Sequence, residues 1–134
     1  MTNAAAAPCP CGSHKLYRDC CGRYHAGAVA PDAQALMRSR YSAYVLADRD
    51  YLLRTWHATT RPESLDLGPP GAVRWLGLAV RQHQVIDADH AQVEFIARSR
   101  AGGGPATRLH EISQFVREDG CWYYVDGSFP KLAL

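Results

Sequence analysis

The chain has 134 residues, a formal charge of +2 and a pI near 8.3. That is enough for one domain with one core, and too mildly basic for wholesale nucleic-acid binding, where a domain pI above about 9 is expected. An apolar share of 47% beside 21% charged residues fits a soluble globular protein. Met1 to Ala7 lack the basic start and apolar run of a secretory signal, and no stretch approaches the roughly 18 apolar residues of a spanning helix, so the cytosol is the expected compartment.

The first element in chain order is PCPCGSHKLYRDCCG, Pro8 to Gly22, which holds four of the five cysteines. A reducing compartment argues against disulfides, and five cysteines leave one over in any intramolecular pairing. Cys20 and Cys21 are also neighbours, separated at Cα by about 3.8 Å, closer than the usual bridge. As metal ligands the cysteines make sense: Cys9-x-Cys11, eight residues, then Cys20-Cys21. Four thiolates suit tetrahedral Zn²⁺, and a closed shell of this kind is a folding device rather than a catalytic centre.

Gly12 allows a tight turn, and Ser13 is placed to cap a short helix over His14 to Asp19, with Leu16 and Tyr17 as its apolar floor. Four thiolates and one Zn²⁺ leave a local charge of −2, which Lys15, Arg18 and Arg23 stand near enough to offset. Adjacent ligands are less usual than a C-x-x-C pair. His25 is therefore the alternative fourth ligand, with one neighbouring cysteine left free, and His14 is a more remote third choice.

Cys9-Pro-Cys11-Gly12-Ser13-x-Lys15-x-Tyr17-x-x-Cys20-Cys21-Gly22 resembles the SEC-C zinc motif found at the C-terminus of the translocase ATPase SecA and in many unrelated bacterial proteins. His14 replaces the glycine that usually follows the serine. The resemblance carries the ligand role onto Cys9, Cys11, Cys20 and Cys21, the last standing where the family often has His.

Ala26 to Ala30 reads as a small-residue linker, and Pro31-Asp32 as a helix start with Asp32 as cap. Leu36, Met37, Tyr41, Tyr44 and Val45 form one apolar face of a helix reaching about Ala47, with Arg38, Ser39, Arg40 and Ser42 on the other. A second helix from Asp48 or Asp50 presents Tyr51, Leu52, Thr55 and Trp56. Arg61-Pro62-Glu63 suggests a short third helix before Gly68-Pro69-Pro70-Gly71 interrupts the pattern.

The period then changes to two. Strands are expected over Val73–Ala88, His90–Ala101, Pro105–Glu118 and Cys121–Ser128, with Asp119-Gly120 the strongest hairpin signal. Strands of this length are expected to twist and bulge. Helices followed by an antiparallel meander define an α+β class, a curved sheet on a helical layer. The expected organisation is a zinc knuckle over residues 1–25, a linker over 26–31 and an α+β domain over 32–134.

Leu36-Met37-Arg38-Ser39-Arg40-Tyr41-Ser42-Ala43-Tyr44, Tyr51-Leu52-Leu53-x-Thr55-Trp56-His57, Trp75-Leu76-Gly77-Leu78, His110-Glu111-x-Ser113-x-Phe115 and Trp122-Tyr123-Tyr124-x-Asp126-Gly127, taken with the knuckle, resemble the uncharacterised bacterial YchJ-like family. The resemblance implies a cone-shaped fold similar to nuclear transport factor 2, scytalone dehydratase and ketosteroid isomerase. It implies no activity.

A cone has a mouth where ligands bind. With Phe115 inward, period two puts Ser113 and Glu111 on the same face, polar groups in an apolar wall, where a carboxylate is a candidate general acid or base. His57 is the expected partner, and Arg40 or Arg54 an anion anchor. The pocket candidates are thus Arg40, His57, Glu111 and Ser113. Taken singly each has a more ordinary structural role open to it, as do Trp56, Trp75 and Trp122 in the core, and Arg38 and Arg40 as a solvated face or salt-bridge donors to Glu111 or Asp126. Cys121 reads as an ordinary strand residue.

Two functions follow as expectations. One is a zinc-stapled adaptor that docks a protein or nucleic-acid partner through Lys15, Arg18 and Arg23. The other is a small-molecule enzyme of isomerase or dehydratase type, with a small apolar ligand in the cone. Outward Ile112 and Val116 leave an oligomeric scaffold open, and the chain is expected to be a monomer or homodimer.

Overall fold

The computed structural model describes residues 6–130. Residues 1–5, part of the stretch read above for a signal, and 131–134, the end of the expected domain, lie outside the described residues. The elements in order are a 3-10 turn (Tyr17–Asp19), α1 (Cys21–His25), α2 (Ala33–Val45), α3 (Arg49–Arg54), β1 (Val73–Asp87), β2 (His90–Ala101), β3 (Ala106–Glu118) and β4 (Cys121–Ser128). The four strands form one antiparallel sheet in sequence order. Among the described residues no helix is long and apolar enough to cross a membrane.

Asp32 starts α2 by accepting a hydrogen bond from the Ala35 amide at 2.8 Å, satisfying one of the amides a helix start leaves free. Asp48 does the same for α3 through Tyr51 N at 3.2 Å. α3 ends before Trp56, whose neighbours pair with the sheet instead: Tyr124 N donates to Thr55 O at 2.8 Å, and His57 N to Tyr124 O at 2.7 Å. The backbone from Thr55 to His57 is thereby fixed to β4.

The side of α2 opposite its apolar stripe is not solvated, which corrects the reading of Arg40 as part of a solvated face. Ser39, Arg40 and Ser42 are buried along with Leu36, Met37 and Tyr41. The physical reason is that α2 is clad on several sides, by the sheet, by α3 and by α1 of the knuckle. Its polar groups are satisfied locally: Ser39 Oγ donates to Leu36 O at 2.7 Å and meets the Tyr51 hydroxyl at 2.6 Å.

The expected third helix after Arg61 does not form. The Arg61 amide and Nε are both taken by the preceding turn, donating to His57 O at 2.9 Å and Trp56 O at 3.0 Å. Beyond Pro62 the chain runs irregularly, and Leu65 and Leu67, two positions apart, pack against the core.

The sheet carries the irregularities its length requires. Register shifts fall between Trp75 and Gly77, Val80 and Gln82, and Val85 and Asp87 on β1, and between Gln114 and Phe115 on β3. Asp119 and Gly120 close the β3–β4 hairpin with φ of 51° and 80°, both left-handed, as a two-residue turn matching strand twist demands. The inner face presents Ala91, Val93, Phe95 and Ala97 from β2 and Glu111, Ser113 and Phe115 from β3, all buried. Leu52 and Val93 are fully buried, each stabilising the fold by roughly 1.5–3 kcal/mol.

Candidate functional site

Two places concentrate chemistry. In the knuckle the sulfurs of Cys9, Cys11, Cys20 and Cys21 all lie within 4.8 Å of one another. Cys9, Cys11 and Cys21 are buried and Cys20 is half-buried. Four sulfurs about 2.3 Å from a tetrahedral Zn²⁺ stand about 3.8 Å apart, and Cys11 Sγ and Cys20 Sγ are 3.7 Å apart. The donor set and its spacing fit Zn²⁺.

The thiols also disturb one another. Hydrogen bonds from Cys11 and Cys21 hold Cys9 well below its ordinary thiol pKa, while Cys11, Cys9 and then burial push Cys21 far above. Sulfurs this close do not all ionise unless a cation sits among them.

Neighbouring groups orient the cluster. Ser13 Oγ donates to Cys20 Sγ at 3.1 Å, and Ser42 Oγ of α2 lies 3.6 Å from Cys9 Sγ. Arg38 Nη1 donates to Cys11 O at 3.0 Å, tying α2 to the first cysteine pair. Ser13 is thus drawn to sulfur rather than capping a helix over His14 to Asp19, and that expected helix shrinks to the 3-10 turn at Tyr17–Asp19. Arg38 is a knuckle anchor, not a solvated side chain.

His25 stands outside the cluster. Its Nε2 donates to Ser39 O at 2.8 Å and its Nδ1 accepts from the Tyr17 hydroxyl. The ring also packs against Tyr51 at 4.5 Å between centroids. With both nitrogens engaged, His25 joins knuckle to α2 and offers no atom to a metal. His14 is exposed and is absent from the cluster. Lys15, Arg18 and Arg23 are exposed around the knuckle, Arg23 donating to the Tyr24 hydroxyl at 3.2 Å.

The second place is a cavity of about 240 Å³ between α2 and the inner sheet face. Arg40, Glu111 and Ser113 line it; His57 does not. His57 faces away, with Nε2 2.6 Å from Glu118 Oε1 and Nδ1 2.6 Å from Thr59 Oγ1. The reason lies in the end of α3: the hydrogen bond from His57 N to Tyr124 O turns the following residues along the outside of β4. Arg54 lies outside this cavity too, donating to Tyr24 O at 3.2 Å.

Glu111 Oε2 accepts from Ser113 Oγ, and from the Tyr124 hydroxyl at 3.2 Å. Burial, then the charge of Glu111, pushes the Tyr124 phenol up, so it remains a donor. Arg40 Nη1 donates to Leu52 O at 2.8 Å and Thr55 Oγ1 at 2.7 Å. Its guanidinium lies 4.6 Å from the Tyr124 ring centroid and 5.2 Å from that of Trp56. Burial pulls its pKa below the ordinary arginine value, opposed by Tyr44, Tyr124 and Glu111. Arg40 makes no salt bridge to Glu111 or Asp126 among the described residues.

The carboxylate is held from below as well. A Cβ at Gly127 would collide with the Glu111 side chain, so any larger residue there must displace the carboxylate from its hydrogen bonds. Sequence reasoning missed this contact and the roles of Tyr124 and Ser42. Period two signalled Tyr124's face, but no local pattern signals that an extra β4 residue, Val125, opposite the Gln114–Phe115 step, sets Ser113 opposite Gly127.

A sulfur-cluster knuckle docked on a curved-sheet α+β cone defines the class: residues 32–127 match the model of the YchJ middle NTF2-like domain, and residues 7–23 that of the SEC-C motif. The solution structure of a SEC-C motif containing protein from Rhodopseudomonas palustris superposes with a TM-score of 0.79 at 39% identity, over 92% of this chain and 98% of that one. A crystal structure of a SEC-C motif containing protein from Psychrobacter arcticus gives 0.77 at 30% identity, over 98% and 87%.

The chain belongs to the uncharacterised UPF0225 family of YchJ-like proteins. It is 58% identical to a UPF0225 protein of Xanthomonas campestris, over 89% of this chain and 92% of that one. It is equally identical to one of Bordetella parapertussis, over 92% and 94%.

Proposed function

We propose that this is a zinc-binding protein whose metal is structural and whose work is docking. Zn²⁺ would be held by Cys9, Cys11, Cys20 and Cys21 and would supply cross-linking, not chemistry, since four protein ligands leave no open position. The observation that carries the reading is the approach of four sulfurs, within 4.8 Å, under a rim of exposed Lys15, Arg18 and Arg23. That rim suits an acidic protein surface or a nucleic-acid backbone. A partner capture with the zinc-loaded chain tests it: the partner is expected to be lost when Lys15, Arg18 and Arg23 all become Ala while zinc stays bound. Undiminished capture by that variant contradicts the adaptor reading.

A second reading, a small-molecule enzyme or binder in the cone, is favoured by one specific observation. Trp56 and Glu111 both line the cavity, and the buried Trp56 Nε1 has no hydrogen-bond partner among the described residues. An apolar ligand whose single acceptor atom reached this N–H after a small turn of the indole would satisfy it. A ligand screen by thermal shift on the whole chain and on Glu111→Gln is the test; stabilisation by no apolar ligand sets this reading aside.

A further inference from the structure

The outer face of the sheet, away from both places above, holds an unbalanced charge. The β1–β2 register sets Arg74 opposite Arg100, and the β2–β3 register sets Arg98 opposite Arg108. Arg98 and Arg100 are two apart on β2 and share a face, which joins the two pairs into one group. Arg81, at the register shift between Val80 and Gln82, lines the same shallow groove as Arg98 and Arg108, floored by Gly77, Leu78, Ala79 and Ile96. All five arginines are exposed.

Like charges directly across a ladder destabilise it, and acidic partners commonly relieve them. Here none does: among the described residues no ion pair reaches Arg74, Arg81, Arg98, Arg100 or Arg108. Glu94, on the same face of β2, is engaged by His110 at 2.7 Å. The other end of the face is a neutral glutamine ladder, Gln84 to Gln92 at 2.8 Å and Gln92 to Gln114 at 3.0 Å. The charge is therefore concentrated at the end next to the β2–β3 turn. In a chain of net charge only +2, such concentration is local.

We infer that the outer face at Arg74, Arg81, Arg98, Arg100 and Arg108 is a binding surface for the phosphate backbone of a nucleic acid. Every cation in the group is arginine, whose planar fork takes phosphate oxygens two at a time, where lysine offers only a point charge. The groove floor is aliphatic, without an aromatic side chain on which a base would stack. Contact is thus to the backbone, positioning a duplex without reading its sequence. This surface goes beyond the knuckle rim and does not depend on it.

The test is a titration of a labelled 20-base-pair duplex with the full zinc-loaded chain at several salt concentrations, followed by anisotropy. Binding is expected to weaken with salt. Arg98→Ala with Arg108→Ala should lower affinity at least about tenfold near 0.1 M salt and reduce the logarithmic salt slope by about 1.8, roughly 0.9 for each lost contact. The Arg98→Lys, Arg108→Lys pair keeps both charges and should retain most of the slope with weaker binding, while the alanine pair, which removes a cross-strand repulsion, should melt no lower than the parent. Lys15, Arg18 and Arg23 changed together to Ala should leave the Arg98 and Arg108 effect in place, whatever they do to the knuckle. The inference is overturned by absence of duplex binding at low salt, by an alanine pair that binds as the parent does, or by polyglutamate binding in place of the duplex.

Discussion

The knuckle and the cone are held together by different physics. In the cone, Leu52, Val93, Phe95 and Phe115 bury an apolar core. In the knuckle the buried side chains are mainly Cys9, Cys11, Cys21 and Tyr24, while Lys15, Arg18 and Asp19 are exposed. A segment this short exposes too much of its surface to be kept folded by apolar burial, and a metal is the usual substitute. Yet the boundary is not a gap: the knuckle cysteines join the same buried cluster as Leu36 and Met37 of α2, and Arg38, Ser42 and His25 tie across it. α2 is the shared beam, which is why so much of its circumference is buried.

Removing the metal should therefore have the largest effect, and an uneven one. Chelation, or Cys11→Ser, is expected to cost several kcal/mol and lower Tm on the order of 10 °C or more. Amide resonances of β2 and β3 should persist while those of Tyr17 to His25 collapse. Loss of both regions together would mean the cone depends on the knuckle.

Arg40→Ala tests the opposite side of the comparison. It leaves Leu52 O and Thr55 Oγ1 without their donor and removes the cation from the Trp56 and Tyr124 rings. A loss of about 2–4 kcal/mol by chemical denaturation is expected, with zinc content unchanged. Gly127→Ala is a smaller insult to the same site: its methyl collides with the Glu111 carboxylate, for about 1–3 kcal/mol. Adding Glu111→Ala should recover part of that loss, and a strictly additive double variant would refute the contact.

The smallest effect is on a hairpin. Backbone amide donation by Asp89, followed by the His90 side chain, holds the exposed Asp87 carboxyl below its usual value. A depressed folded pKa contributes stability above the unfolded value, about 3.9, and loses it as pH falls through the folded one. Side-chain NMR titration should thus place Asp87 below the unfolded value of about 3.9, and a midpoint at or above that value would contradict the two contacts.

What was legible in the sequence was local. The cysteine spacing, the Asp32 cap, the Asp119-Gly120 turn and the two-residue period from Val73 onward each carry their own chemistry within a few positions, and the structure has the corresponding elements. What was not legible depended on partners far along the chain. Ser39 and Ser42 read only as the polar side of α2, and Arg40 as a pocket residue, a solvated side chain or a salt-bridge donor, because nothing near them announces that α3 and the knuckle cover that side. His57 read as a pocket residue because its helix was expected to continue through Trp56, whereas pairing of the segment with β4 ends it early. Ser13 read as a helix cap, but a sulfur seven residues on is the stronger attraction. The five outer arginines were visible as letters, but only register makes them neighbours.

The central claim is the structural Zn²⁺, and metal content of the purified chain measures it most directly. One zinc per chain is expected, abolished by Cys9→Ser, Cys11→Ser, Cys20→Ser or Cys21→Ser and retained by His25→Ala. Zinc that survives loss of Cys21 but not of His25, or a parent chain with four freely reacting thiols at Cys9, Cys11, Cys20 and Cys21 and no metal, would contradict the account.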